Sequence, residues 1–360
     1  MPLIEDVFYA RPVSWIRRVA LTPVLWIGWG YALVMRARAW AYRSGVLRST
    51  KAALPVVSVG NLTVGGTGKT PVTIWLARRL SEAGRKPVVI SRGYRGSLEG
   101  RVALVGDGSA RTLDAAECGD EPALLADSLP GVPVVIGAKR AEAVAFAEAN
   151  TPADVVIADD AFQHMALRRD LDVVCVNGAL GFGNHLTLPF GPLREPFSAL
   201  RRADLLAINV TNGERDDIES TARRVGFGGP VVRWRYEARA LRDVATGERR
   251  DVAEFRDAPV HALAATAHPA GFFALLRQLG LNVVAETPLP DHRVPTAEDF
   301  RGRPVGGGEA VAYHVVTEKD AVKLRGVVSP DGRPILALEV AAVFGVEEAA
   351  LVDRLLGEVL

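Results

Sequence analysis

The sequence predicts an α/β fold, a parallel-sheet core followed by a second, smaller α/β domain, and two observations predict it. Short runs rich in valine and isoleucine recur between helix-like stretches, at 87–91, 132–136, 154–160, 171–176 and 204–209. They lack period-two alternation, which marks strands covered on both faces, as in parallel sheets. A glycine-rich turn also follows the apolar run Leu54-Pro-Val-Val-Ser-Val and opens a helix-like stretch over 70–83. With 360 residues and 49% apolar content, the chain is long enough for two ordinary domains and is not disordered by composition.

Taken from the start, residues 1–51 carry eight basic side chains against Glu5 and Asp6, and four of the six tryptophans, Trp15, Trp26, Trp29 and Trp40, fall in the first forty positions. Between Arg18 and Arg36 lie seventeen uncharged residues. As a helix they would measure about 26 Å, slightly less than the ~30 Å hydrocarbon core of a bilayer. Pro23, Gly28 and Gly30 interrupt them, and arginine with tryptophan favours the interface, so a helix lying in or dipping into a membrane surface is expected rather than a span. A buried helix of the main domain is the alternative. No Ala-x-Ala cleavage site follows Met35 before further arginines, against a signal peptide. The core is placed at 52–212, a linker with edge strands at 213–258, and the smaller domain at 259–360. That last part holds strands near 260–264, 282–285, 310–317 and 334–338, a helix over 272–279 and a final helix from Val346. The net charge of +1 gives no cause to expect a nucleic-acid partner, and Cys118 and Cys175 have no metal-ligand spacing.

The chemistry concentrates in the turn Ser58-Val-Gly-Asn-Leu-Thr-Val-Gly-Gly-Thr-Gly-Lys-Thr-Pro. Gly65, Gly66 and Gly68 let backbone N–H groups approach an anion, Lys69 adds a mobile positive charge, and Thr70 offers a hydroxyl suited to Mg²⁺. Val64, Thr67 and Pro71 complete the expected nucleotide-binding stretch. Thr63 stands where Gly-x-x-x-x-Gly-Lys-Ser/Thr has its first glycine. Asp159 and Asp160 close a strand-like run, where ligands of open α/β sheets gather; Asp159 is the expected metal carboxylate, and a helix cap is the lesser alternative for Asp160. Phe162-Gln163-His164 follows on the same edge. Asp120, before a helix, is a proton acceptor or a cap, and Asp291-His292 is a loop pair that matters only if two domains close on one cleft. Arg92 and Tyr94 in Ser91-Arg-Gly-Tyr, Arg140, and Arg194 and Glu195 in Gly191-Pro-Leu-Arg-Glu are candidates for phosphate or substrate contact.

These motifs, with Gly119-Asp-Glu-Pro, Asp159-Asp-Ala-Phe-Gln-His, Asp291-His and Thr317-Glu-Lys-Asp-Ala-Val-Lys, occur in an order that resembles the tetraacyldisaccharide 4′-kinase family of lipid A synthesis, over nearly the whole chain. The resemblance implies a phosphate-loop NTPase-like core and transfer of the ATP γ-phosphoryl group to the 4′-hydroxyl of an acylated glucosamine disaccharide 1-phosphate, with Mg²⁺. The work would be done at the cytoplasmic face of the bacterial inner membrane, with no obligate protein partner. It places the family's loop on 65–70, its Mg²⁺ carboxylate on Asp159, and its catalytic base on Asp120, assisted by His292. The family also has Ser or Thr at the position of Thr63. Arg293 and Ala265-Thr-Ala-His-Pro depart from its pattern. Two other readings stand beside it, a GTPase or ATPase switch of metallochaperone type and a membrane-bound partitioning protein. Thr317-Glu-Lys-Asp puts lysine one place late for a guanine reader, and Val64 occupies the region of the partitioning proteins' extra lysine.

Overall fold

The structure, a computed structural model, describes residues 8–9, 22–301, 311–324 and 327–360. Trp15 and the first part of the uncharged N-terminal stretch lie outside them. In chain order the first elements are helix α1 (Thr22–Arg43), β1 (Val56–Gly60), α2 (Lys69–Glu82), β2 (Pro87–Ser91), β3 (Ala103–Gly106), α3 (Ala115–Cys118), α4 (Asp120–Ser128) and β4 (Val134–Ile136). There follow α5 (Arg140–Asn150), β5 (Val155–Asp159), β6 (Leu171–Asn177), β7 (Leu205–Asn209), α6 (Ile218–Arg224) and β8 (Val231–Asp243). The remainder is β9 (Arg249–Arg250), β10 (Pro259–Ala264), α7 (Pro269–Gln278), β11 (Asn282–Pro288), β12 (Tyr313–Thr317), α8 (Glu318–Ala321), β13 (Ile335–Phe344) and α9 (Val346–Val359).

Among the described residues the strands form one continuous sheet in the order β11-β10-β12-β13-β8-β7-β6-β1-β5-β2-β4-β3, with β9 beside β8. β1, β2, β5 and β7 are buried at every position, which is why they read as unbroken apolar runs. Helix α2 presses Leu76 and Leu80 onto one face, over Val57, Val59 and Ile157. Helix α5 covers the other with Val144 and Ala147 over Val88, Ile90 and Ala158. A second parallel block, β11-β10-β12-β13, packs against Phe273 and Leu276 of α7.

One expected assignment is corrected. The stretch 231–236 was placed among edge or linker strands, but β8 is interior. Its first residues pair parallel to β7 at Leu206 to Asn209, and from Trp234 onward it pairs antiparallel to β13, so a single strand joins the two blocks. Its charged, alternating sequence disguised this, because only Val232, Trp234, Ala240 and Leu241 are fully buried along it. The last helix, α9, crosses back: Val352 and Leu356 join the core of the first block, and Asp353 accepts two hydrogen bonds from Arg79, at 2.9 and 2.6 Å.

Helix α1 leans on the first block with Gly28, Tyr31, Met35, Arg38 and Tyr42, spaced as one face of a 3.6-residue repeat. Thr187 donates to the Gly28 carbonyl at 3.0 Å, and Arg38 donates to that of Gln163 at 3.1 Å. The opposite face is apolar and bare: Trp26 is 70% exposed, Trp29 66% and Leu33 67%. No helix among the described residues is long and apolar enough to cross a membrane.

Candidate active site

The turn after β1 is shaped by crowding as well as by glycine freedom. Gly68, at φ 84°, begins α2, and a Cβ there would sit 2.4 Å from the Trp234 ring of the joining strand. Gly65, at φ 102°, would place a Cβ 2.8 Å from Nε2 of His268. Thr67 is buried and accepts from Asn61 at 3.1 Å, while the Val64 N–H donates to the Pro192 carbonyl at 2.8 Å. No side chain caps α2. Its first-turn N–H groups therefore remain available to an anion.

Above this turn opens a cavity of about 600 Å³, walled on one side by Gly65, Gly66, Thr67, Gly68, Lys69, Thr70 and Pro71. Asp160 joins that wall with φ 48°, a conformation uncommon outside glycine and concentrated at functional positions. Lys69 Nζ lies 3.6 Å from its Oδ1, and Arg194 donates to both its oxygens at 2.9 and 3.0 Å. Burial would raise the Asp160 carboxyl, but Lys69 and Arg194 outweigh it and hold the group well below the usual carboxylate range. The neighbouring Asp159 behaves oppositely. It is buried, accepts from Thr73 and Ser91 hydroxyls at 3.2 and 3.3 Å, and burial, with Glu121 and Asp160 nearby, pushes it up to about 7.

The facing wall combines α4 of the first block with loops of the second. Asp120 opens α4, and His292 Nδ1 lies 2.9 Å from its Oδ2 and 3.1 Å from its Oδ1. An ionised carboxylate can only accept, so Nδ1–H donates. Burial raises the Asp120 carboxyl, yet His292, Lys319 and Lys323 more than offset this and leave it lowered. His292 is held at φ 66°, and the Tyr94 ring meets it edge-on, 5.6 Å between centroids. The loop pair is thus brought to the cleft by the union of the two blocks, the condition on which its reading depended.

Of the remaining candidates, Arg92, Tyr94 and Arg194 line the cavity. The others do not. Arg140 is 2% exposed and donates to the Gly137 and Asp159 carbonyls at 2.8 and 3.1 Å, Glu195 is buried against Arg202 at 2.9 Å, and Gln163 donates to the Asn61 carbonyl at 2.8 Å. His164 accepts from the Arg140 N–H at 3.4 Å, and burial, with Arg140 and Arg38 nearby, lowers it to about 4. Of these four, Arg140 holds the carboxyl end of β5, and the other three bond to Asn61, Arg140 and Arg202 outside the cavity. Sequence reasoning passed over Lys319, Glu121, Tyr236 and His268, all on the cavity wall. For Lys319 a signal exists, since Thr317-Glu-Lys-Asp is one of the ordered motifs of the sequence.

A glycine loop at the head of a parallel strand, with its lysine facing a carboxylate–histidine pair across one cleft, defines a phosphate-loop kinase fold. The family model described as "Tetraacyldisaccharide-1-P 4'-kinase" matches residues 18–360. The curated tetraacyldisaccharide 4'-kinase of Pelobacter propionicus is 41% identical over 334 residues, 90% of this chain and 89% of that one. That of Geobacter sulfurreducens is 43% identical over 298 residues, 82% of this chain and 81% of its own. The crystal structure of LpxK from Aquifex aeolicus in complex with ATP superposes with a TM-score of 0.73 at 29% identity, covering 94% of this chain and 99% of that one. The chain belongs to the tetraacyldisaccharide-1-phosphate 4'-kinase family.

Proposed function

We propose that the protein transfers the γ-phosphoryl group of ATP to the 4′-hydroxyl of a tetraacylated glucosamine disaccharide 1-phosphate. The observation that carries this reading is the Asp120–His292 pair, 2.9 Å apart, on the wall of the cavity that the phosphate loop also lines. Phosphoryl transfer asks the protein chiefly for positioning and charge neutralisation. The loop N–H groups and Lys69 hold the phosphates, Asp120 receives the proton of the attacking hydroxyl, and His292 keeps Asp120 oriented and ionised. Arg92, Tyr94 and Arg194 stand where acceptor or phosphate oxygens would pass.

The residues present fit Mg²⁺. Thr70 and Asp160 turn hard oxygen donors to the cavity, and Asp159 lies buried in contact with Thr73 of the same helix as Thr70. Among the described residues no three His, Cys, Asp or Glu side chains converge into a metal cage, and Mg²⁺ needs none, being held by one or two carboxylates together with substrate phosphates. We assign Thr70 and Asp159 to it; when bound, it would supply positive charge to neutralise the phosphates. The exposed face of α1, with Trp26, Trp29 and Leu33 above and Arg36 and Arg43 alongside, supports seating on the cytoplasmic face of the inner membrane as a peripheral or monotopic protein, since the acceptor is a lipid.

The test is transfer of label from γ-labelled ATP to the acylated disaccharide 1-phosphate presented in anionic vesicles. Labelled lipid is expected only when both are supplied. Nucleotide hydrolysis at the same rate with and without the lipid would instead favour a switch protein.

A further inference from the structure

Lys319 sits at the start of α8 and is 18% exposed at the cavity wall. Its ammonium lies 3.2 Å from Glu121 Oε1, 3.5 Å from Asp291 Oδ1 and 3.8 Å from Asp120 Oδ2. Two of those carboxylates belong to the first turn of α4, in the first block; the third precedes His292, in the second. Lys319 therefore touches carboxylates on both sides of the Asp120–His292 contact. Its own seat is firm. Asp320, fully buried, accepts from the Ala265 N–H at 2.9 Å and from Thr317 at 2.7 Å and forms an ion pair with Lys323 at 2.7 Å, which pins α8 against the end of β10 and leaves Lys319 facing the cleft. Lys323, by contrast, is 5% exposed, spends its charge on Asp320 and the Arg293 carbonyl, and reaches Asp120 at 3.9 Å.

We propose that Lys319 is a further positioning residue of the phosphoryl transfer, drawing the α4 turn that bears Asp120 and the loop that bears His292 into register by clasping Glu121, Asp291 and Asp120. Without it, three carboxylates face one another across the cleft with only His292 and the more distant Lys323, 3.9 Å from Asp120, to offset them. Mutual repulsion would then part the loop from α4, because like charges at such distances repel and a partly buried site screens them weakly. The charged groups around Asp120 are His292 and Asp291 from the loop, Lys319 and Lys323 from α8 and the turn after it, and Glu121 from its own helix; Arg95 donates to the Asp291 carbonyl at 3.2 Å from the opposite edge. Removing Lys319 takes away one of the positive neighbours that favour the ionised base, so the inference also predicts the direction of a pH effect.

This inference rests on the kinase reading above and is tested within it. Lys319→Met is expected to lower kcat by about ten- to a hundredfold while KM for ATP changes by less than about threefold, since the phosphate loop is untouched. The acid limb of the kcat/KM profile should move to higher pH by about one unit, and Lys319→Arg should restore most of both, because a guanidinium keeps the charge. Combined with Asp120→Asn, Lys319→Met should cost little more than Asp120→Asn alone, as expected for a residue acting through that carboxylate. A Lys319→Met enzyme with kcat within about twofold of the parent and an unmoved acid limb overturns the proposal, as does a double variant whose losses multiply. Should Lys319→Met fail to fold, Asp291→Asn loosens the same clasp from its exposed end; a fall in kcat at constant KM for ATP is expected, and unchanged kcat overturns the idea. If Asp120→Asn itself turns over like the parent, it is the kinase mechanism that has failed, not the role of Lys319 within it.

Discussion

The two walls of the cleft are made in different ways. On the phosphate side, seven consecutive positions from Gly65 to Pro71, between the end of one strand and the start of one helix, bring their own geometry with them. The opposite wall has no contiguous source: Asp120 comes from α4, His292 from the loop after β11 and Lys319 from α8, and they meet only because β8 and β13 fuse two parallel blocks into one sheet. A locally encoded wall can be read from a string of residues. An assembled wall exists only once Asp120 and His292, 172 positions apart in the chain, have found their places.

The comparison is broken most forcefully from the local wall. Lys69→Ala removes the one mobile cation of the loop, which faces Asp160 at 3.6 Å. Turnover should fall by about a thousandfold, the scale for losing a donor to charge that develops in the transition state, with little change in thermal midpoint. Labelled-phosphate transfer beside a melting curve checks both, and turnover within tenfold of the parent would remove Lys69 from the phosphate site. For the assembled wall, Asp120→Asn keeps the shape and loses the base. A fall in kcat of about a hundred- to a thousandfold with an intact KM for ATP is expected, and steady-state kinetics over pH would show the acid limb gone.

That asymmetry also sets what was legible in the amino-acid sequence. The strand runs at β1, β2, β5, β6 and β7 were readable because burial on both faces demands apolar residues at every position, and the loop because its glycines and lysine are contiguous. β8 was misplaced since an interior strand at a junction has one charged, half-exposed side along much of its length, as Arg233 and Arg235 show. β3 was missed because Ala103–Gly106 is a four-residue antiparallel edge strand, too short, and buried only at Val105 and Gly106, to impose a pattern. Arg140, Gln163, His164 and Glu195 carry the residue types of a phosphate site, yet they bond to backbone groups or to Arg202 and do not line the cavity; side-chain chemistry alone does not say which way a residue faces. Lys319 stands in a legible string, Thr317-Glu-Lys-Asp, but its role is not legible there, as its three partners lie far away in sequence.

Assembly also buries groups that a local motif would leave in water. Glu318, next to Lys319, accepts from the Val340 N–H at 2.9 Å, and burial pushes it up to about 7, with Glu339 adding to the rise. Its folded pKa exceeds its unfolded one, so the folded state holds the proton more tightly. Stability linked to this group is full below about pH 4 and declines as pH rises toward 7, where the charged form bears the burial cost. Glu318→Gln keeps an acceptor for Val340 and removes that cost. Urea unfolding should find the variant more stable than the parent by about 1–2 kcal/mol at pH 8 and equal to it near pH 4. Equal midpoints at pH 8 would show that the carboxylate reaches solvent.

The smallest expected effect asks whether the local wall is as self-contained as its sequence implies. Tyr31 on α1 donates to the Arg194 carbonyl at 2.7 Å, the Arg194 guanidinium holds Asp160 at 2.9 Å, and Asp160 faces Lys69 at 3.6 Å. The helix whose opposite face carries Trp26 and Trp29 is thereby joined to the phosphate loop through three consecutive contacts. Tyr31→Phe deletes the first of these and keeps the ring. One neutral hydrogen bond contributes about 1 kcal/mol, so kcat should fall by about fivefold if Arg194 loses its alignment, while sedimentation with anionic vesicles stays unchanged because the exposed face is intact. A parallel loss of vesicle binding would mean that Tyr31 seats the helix as a whole. Unchanged turnover would mean that the loop is set by its own residues alone, and that contact with a lipid surface reaches the chemistry only by bringing the acceptor near.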